Sequence, residues 1–173
     1  MTIAAKRLRW FIPIIWTVLF LLDGTISLLF QKWLYHDFLN ISSQVLLMGV
    51  VSTSFHFDTE RWLIWPAFVI GIFYDCFYLG IVGYYTFLLP MVVMIVRWIA
   101  DYLPDSMLFQ AVTYILMLII LEFALFILNS FFGDGIGFFT FVSTDLGPTL
   151  AANVIVFLLI YYPYKQLMKA ISN

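Results

Sequence analysis

Long apolar runs separated by short clusters of charged or turn-forming residues set the pattern of this chain. From Trp10 to Phe30 the polar positions are Thr17, Asp23, Thr25 and Ser27, and from Val112 to Leu128 the interruptions are Thr113, Tyr114 and Glu122. Such runs match the roughly 20 apolar residues that a helix needs to cross a hydrocarbon core about 30 Å thick. The pattern predicts spans near residues 10–30, 38–57, 62–79, 84–100, 106–130 and 146–164. An unbroken helix from Trp62 to Trp98 would run about 55 Å, too far for one crossing, and Gly80 and Gly83 mark the hairpin that divides it. A β-barrel would alternate in polarity over strands of about ten residues, and these runs do not. The expected fold is an all-α polytopic membrane protein forming one membrane domain over residues 1–173.

Span two is the weakest prediction, because Asn40, Ser42, Ser43 and Gln44 leave only Val45–Phe55 as clean apolar core, short enough for a re-entrant segment. Charge decides for a crossing. With six crossings and both termini in the cytoplasm, Lys6, Arg7, Arg9, Arg61, Arg97, Lys165 and Lys169 lie inside and only Lys32 lies outside, as the positive-inside bias requires. If span two turned back, Arg61, Arg97, Lys165 and Lys169 would change side. Trp10, Trp33, Trp62, Trp65 and Trp98 fall at predicted span ends, where Trp prefers the headgroup level, whereas Trp16 is deeper. The basic start resembles a secretory signal, but its apolar stretch is long and Gln31-Lys32-Trp33 offers no small-residue cleavage site, so an uncleaved first span is expected.

Composition fits this picture. Of 173 residues, 64% are hydrophobic and 10% charged, where a soluble domain carries about 25% charged residues. The net charge of −2 includes no basic cluster suited to nucleic acid. Cys76, the one cysteine, is expected to be a buried packing residue.

Three acids fall inside spans: Asp23, Asp75 and Glu122. Each is costly in hydrocarbon and should face protein or a wet cavity. Helical rise puts them at similar depth in the predicted outer half, level with Gln44 and Asn153 on spans running the other way, so a polar layer is expected there. No Lys, Arg or His shares it, and a neutral acid would donate a hydrogen bond to a neighbouring amide or carbonyl. The layer reads as structural glue, as an outward-opening ligand or ion cavity, or as a contact for a partner's transmembrane helix. The loop Phe131–Asp145 mixes glycines with aromatics and reads as interfacial chain or as a docking surface for a partner's extracytoplasmic part.

Catalytic signals are lacking. His36 and His56 have no metal-ligand partner at useful spacing, and there is no phosphate-binding Gly-rich loop, nucleophile elbow or His-Glu-x-x-His. No enzyme, metal or cofactor is expected; an enzyme acting on lipid-linked substrates has only the intramembrane acids in its favour.

Gly71-Ile72-Phe73-Tyr74-Asp75, followed by Leu79-Gly80-Ile81-Val82-Gly83-Tyr84-Tyr85, resembles the most recognisable stretch of the MreD family, in which Gly-x-x-x-Asp precedes a Leu-Gly turn and another apolar helix. Ile72 stands where the family usually has leucine, and Tyr84 or Tyr85 where a small residue often follows the turn. The resemblance implies a non-enzymatic subunit that binds MreC, a single-span protein with a large extracytoplasmic region. It further implies support of a glycosyltransferase of the shape, elongation, division and sporulation family and its class B penicillin-binding partner, with MreB-type filaments as a further partner. Gly71, Asp75, Gly80 and Gly83 are where the motif lands, for packing or partner contact. The alternative is the substrate-binding subunit of an energy-coupling-factor vitamin transporter, also a six-span chain of this size; its Ala-x-x-x-Ala docking motif has no counterpart in Trp10–Phe30, which contains no alanine.

Overall fold

A computed structural model describes residues 3–29, 35–36, 39–57, 60–80, 82–131 and 137–172. Gln31, Lys32 and Trp33, the His36 side chain and residues 132–136 of the outer loop lie outside the described residues.

Helix α1 runs from Ile3 to Leu29 with Pro13 inside it. A two-residue hairpin follows, β1 (Tyr35–His36) against β2 (Leu39–Asn40), with Tyr35 opposite Asn40. Irregular chain leads to α2 (Val45–His56), and a turn at Arg61–Leu63 opens α3 (Ile64–Tyr74). That helix widens into a π-turn over Asp75–Leu79, closed by the Gly80 N–H donating to the Asp75 carbonyl at 2.7 Å. Helices α4 (Tyr84–Ala100) and α5 (Met107–Phe131) follow. A helical turn at Phe138–Thr140 and a π-helical stretch at Phe141–Leu146 then run directly into α6 (Gly147–Ser172).

Consecutive helices alternate in direction. Asp23 and Trp16 of α1 meet Val45 and Thr53 of α2, Gly71 of α3 meets Tyr85 of α4, and Tyr114 of α5 stacks on Phe157 of α6. His56, Asp105 and Lys165 therefore gather at one end of the bundle, called here the basic end.

The chain is an all-α polytopic membrane protein, and four of its helical stretches are long and apolar enough to cross a membrane. Their outward faces carry exposed Trp10, Trp65, Leu108 and Leu159, the surface a lipid environment favours. Helix α2 occupies the centre. Every residue from Val45 to Phe55 is buried, which explains a sequence apolar all round rather than along one stripe.

Span two differs from the prediction of 38–57. Its 12-residue helix is only about 18 Å long, against a core of about 30 Å. Residues 41–44 are non-helical, and side-chain contacts of Asn40, Ser42, Ser43 and Gln44 hold the open backbone there. Helical structure also reaches back to Phe138, so the outer loop is shorter than expected and Phe141 is buried. Cys76 is exposed, not buried, because it follows exposed Val69 and Phe73 by seven and three residues on the outward face of the helix. Trp16 is fully buried, its indole N–H donating to Thr53 Oγ1 at 3.1 Å, and Thr53 in turn shares a hydrogen bond with the Tyr164 hydroxyl at 2.7 Å.

Candidate functional site

Two buried aspartates each hold the start of a helix. The first four N–H groups of a helix have no partner within it, and in a bilayer core no water can supply one. At α4 the supplier is Asp75. Its Oδ2 accepts the N–H of Gly83 at 2.8 Å, the N–H of Thr86 at 3.0 Å and the Thr86 hydroxyl at 2.6 Å, while its Oδ1 accepts the N–H of Tyr85 at 2.8 Å. Gly71, one turn before Asp75, makes the approach possible: a Cβ there would lie 2.5 Å from the Tyr85 carbonyl oxygen and 2.7 Å from Thr86 Cα. Gly80 at φ +71° and Gly83 at φ +131° adopt the left-handed conformations that the reversal needs. The Gly-x-x-x-Asp motif and its glycines thus form one local device, a tight hairpin whose second helix is capped by the first.

At α2 the caps come from other helices. Asp23 of α1 accepts the N–H of Val45 at 2.7 Å, the N–H of Leu46 at 2.8 Å and the Ser43 hydroxyl at 2.7 Å. Asn153 of α6 accepts the Gln44 N–H at 2.9 Å through its Oδ1, and its amide donates to the Ser42 carbonyl at 2.7 Å. The Ser42 N–H donates to Thr149 Oγ1 at 3.1 Å, and the Tyr114 hydroxyl donates to the Gln44 carbonyl at 3.2 Å. The broken part of span two is therefore resolved group by group by side chains from α1, α5 and α6.

The Gln44 side chain joins the two devices. Its amide donates to Glu122 Oε1 at 3.1 Å and to the Tyr85 hydroxyl at 2.9 Å, and the backbone of Tyr85 is bound to Asp75. Asp23, Gln44, Asp75, Glu122 and Asn153 are thus brought into one network, with Asp75 reached through Tyr85. The network differs from the expected chemistry in one respect. Asp23 and Asp75 act as acceptors, and the positive ends of α2 and α4 face them in place of a basic side chain. Beside it, Asp23, Ser27, Ser42, Tyr74, Tyr78 and Tyr85 line a cavity of about 220 Å³.

Several participants escaped sequence reasoning. Thr149 lies four residues before Asn153 on one helix face and so had a readable spacing from a residue already placed in the layer; Ser43, Thr86 and Tyr114 had none. At the basic end, Asp105 pairs with His56 at 3.3 Å and Lys165 at 3.4 Å and also accepts from the Gln110 amide. Burial pulls the Asp105 carboxyl up, but the His56 hydrogen bond, the Lys165 charge and Gln110 outweigh it and hold the carboxyl below its ordinary value. Among the described residues, no three of His, Cys, Asp and Glu gather as metal ligands would.

No curated protein and no solved structure matches the chain. The sequence profile described as rod shape-determining protein MreD does, over residues 5–171. That match takes in both capped helix starts, and with the Gly71–Asp75 hairpin and the helical membrane fold it leads to one conclusion: this chain belongs to the MreD family.

Proposed function

We propose that the chain is a non-catalytic, multi-pass subunit of the bacterial cytoplasmic membrane that binds an MreC-like single-span protein and through it supports wall synthesis during elongation. The observation that carries this reading is the match to the rod shape-determining family along nearly the whole chain. The use of the buried acids supports it, because Asp23 and Asp75 are engaged in holding backbone. What remains for recognition is the exposed apolar surface and the outer aromatic segment, where Phe138 and Phe139 are exposed. The basic end, with Arg61, Arg97, Lys165 and Lys169, is assigned to the cytoplasm, together with both termini. The aromatic segment then faces the extracytoplasmic part of MreC. The glycosyltransferase and class B penicillin-binding protein join through that complex, and an MreB-type filament meets the cytoplasmic side. The vitamin-transporter alternative gains nothing from the family match.

Tagged purification from native membranes in mild detergent, followed by mass spectrometry, tests the reading. Recovery of an MreC-like protein with wall synthases is the expected result, reduced for Phe139→Ala. Recovery of transporter ATPases with their coupling subunit, or of a bound vitamin, overturns it.

A further inference from the structure

The cavity of about 220 Å³ beside the polar network is walled by Asp23 of α1, Ser42 ahead of α2, Tyr78 on the π-turn, Tyr85 of α4 and Leu125 of α5. Its floor is closed and its rim is open: Asp23, Tyr74 and Tyr85 are buried, Ser27 is half-buried and Tyr78 is exposed. Ser27 lies two residues before Leu29 and Tyr78 two before Gly80, so the rim is at the end of the bundle opposite the basic end. Asp23 sits about 9 Å deeper along α1 than Leu29.

The groups around this space accept hydrogen bonds. An ionised carboxylate offers about four acceptor positions. At Asp23 the Ser43 hydroxyl and the Val45 N–H fill two on Oδ1, and the Leu46 N–H fills one on Oδ2, which leaves Oδ2 a position open. Tyr78 spends its proton on the Phe20 carbonyl and Tyr85 receives the Gln44 amide, so each hydroxyl keeps a lone pair. Among the described residues no Lys, Arg or His lines the cavity or pairs with Asp23, and the start of α2 offsets only about half an elementary charge. The Tyr74 ring lies 4.9 Å from that of Tyr78 and 3.9 Å from that of Tyr85, so the acceptors are set among aromatic rings, which attract cations.

Such a lining repels an anion. It also cannot complete the shell of about six oxygens that a magnesium or calcium ion demands, since Asp23 has one position to give. At about 30 Å³ per water, the space takes about seven non-hydrogen atoms. We propose that the cavity binds a primary ammonium group on a short polar chain, a unit the size of ethanolammonium. Its N–H donors meet Asp23 Oδ2 and the serine and tyrosine hydroxyls, and its carbons lie against Tyr78 and Leu125. The unit occurs free and as a phospholipid headgroup, and the recognition is the same for both. The site is distinct from the exposed aromatic segment assigned to partner contact, so its test does not depend on which protein the chain binds.

Equilibrium dialysis of the full chain in mild detergent against isotope-labelled ethanolamine at neutral pH reads the free unit. Native mass spectrometry with phosphatidylethanolamine and phosphatidylglycerol of identical acyl chains, added in equal amounts, reads the headgroup. Saturable binding of one ethanolamine per chain, or preferential retention of phosphatidylethanolamine, is the expected result, and the arm that responds identifies the source. N-acetylethanolamine, which lacks the charge, should not compete. Asp23→Asn should weaken binding about tenfold. Because Asp23 also caps α2, a second variant carries the test: Ser27→Leu fills the cavity from a half-buried position outside the caps and should abolish binding. Asp105→Asn, at the basic end, should leave binding unchanged. Failure of both arms, competition by N-acetylethanolamine equal to that by ethanolamine, or undiminished binding by Ser27→Leu overturns the proposal. So does cross-linking from a cysteine at position 27 that captures a partner's helix in native membranes.

Discussion

Replacing Asp75 with alanine removes the group that terminates α4, and its cost follows from the contacts. Three backbone N–H groups and the Thr86 hydroxyl donate to this carboxylate. Tyr85 and Thr86 are buried, so their N–H groups would be left without partners in a dry environment, at about 1–3 kcal/mol each. Gly83 is only partly buried and adds less. The expected loss is about 4 kcal/mol, a large fraction of a typical stability of about 5–15 kcal/mol. Asp75→Asn keeps one accepting oxygen and should lose about half as much. Thr86→Val removes a single bond and should cost about 1 kcal/mol, less in the Asp75→Ala background, because there the hydroxyl has no carboxylate to reach. The assay is reversible denaturation of the purified protein in mixed micelles, followed by tryptophan fluorescence. An Asp75→Ala protein within about 0.5 kcal/mol of wild type, the range of an ordinary surface change, would refute the capping argument. Loss of partner recovery at full stability would move Asp75 from the hairpin to the interface.

Gly71→Ala is expected to destabilise by about 1–3 kcal/mol, since its Cβ meets backbone of Tyr85 and Thr86, whereas Gly24→Ala meets the end of the Tyr78 side chain and should cost less; thermal midpoints in detergent would rank the two. Asp23→Ala should speed amide exchange at Val45 and Leu46 and leave Tyr85 and Thr86 protected, as hydrogen exchange with mass spectrometry can resolve, because the two caps serve different helices. Because Asp105 has a folded pKa below its unfolded one, its contribution is fully present above the ordinary carboxylate range near pH 4 and is lost as pH falls through the folded value. The stability difference between wild type and Asp105→Asn should therefore shrink on acidification from about pH 6 to pH 3, and a constant difference would contradict the pairing.

Much of this protein can be read along the chain. Apolar runs longer than a bilayer is thick locate most helices, and the cost of charge in hydrocarbon singles out Asp23, Asp75 and Glu122 without any coordinates. The Gly71-to-Gly83 hairpin is legible because all its parts are near in sequence: the capping carboxylate, the glycine beneath it and the two turn glycines act within a few turns of one another.

Tertiary structure alone decided the rest. That span two is a short helix preceded by non-helical chain depends on Asp23, Tyr114, Thr149 and Asn153, which come from other helices of the sequence. A run such as Asn40 to Gln44 is merely unfavourable as membrane helix; it becomes stable open chain only where neighbouring helices supply its backbone partners. That Cys76 lies outward with Val69 and Phe73 likewise depends on which face of α3 meets its neighbours. Hydropathy responds to how much of a segment is apolar, whereas the state of its backbone depends on which side chains surround it, and folding alone brings those together.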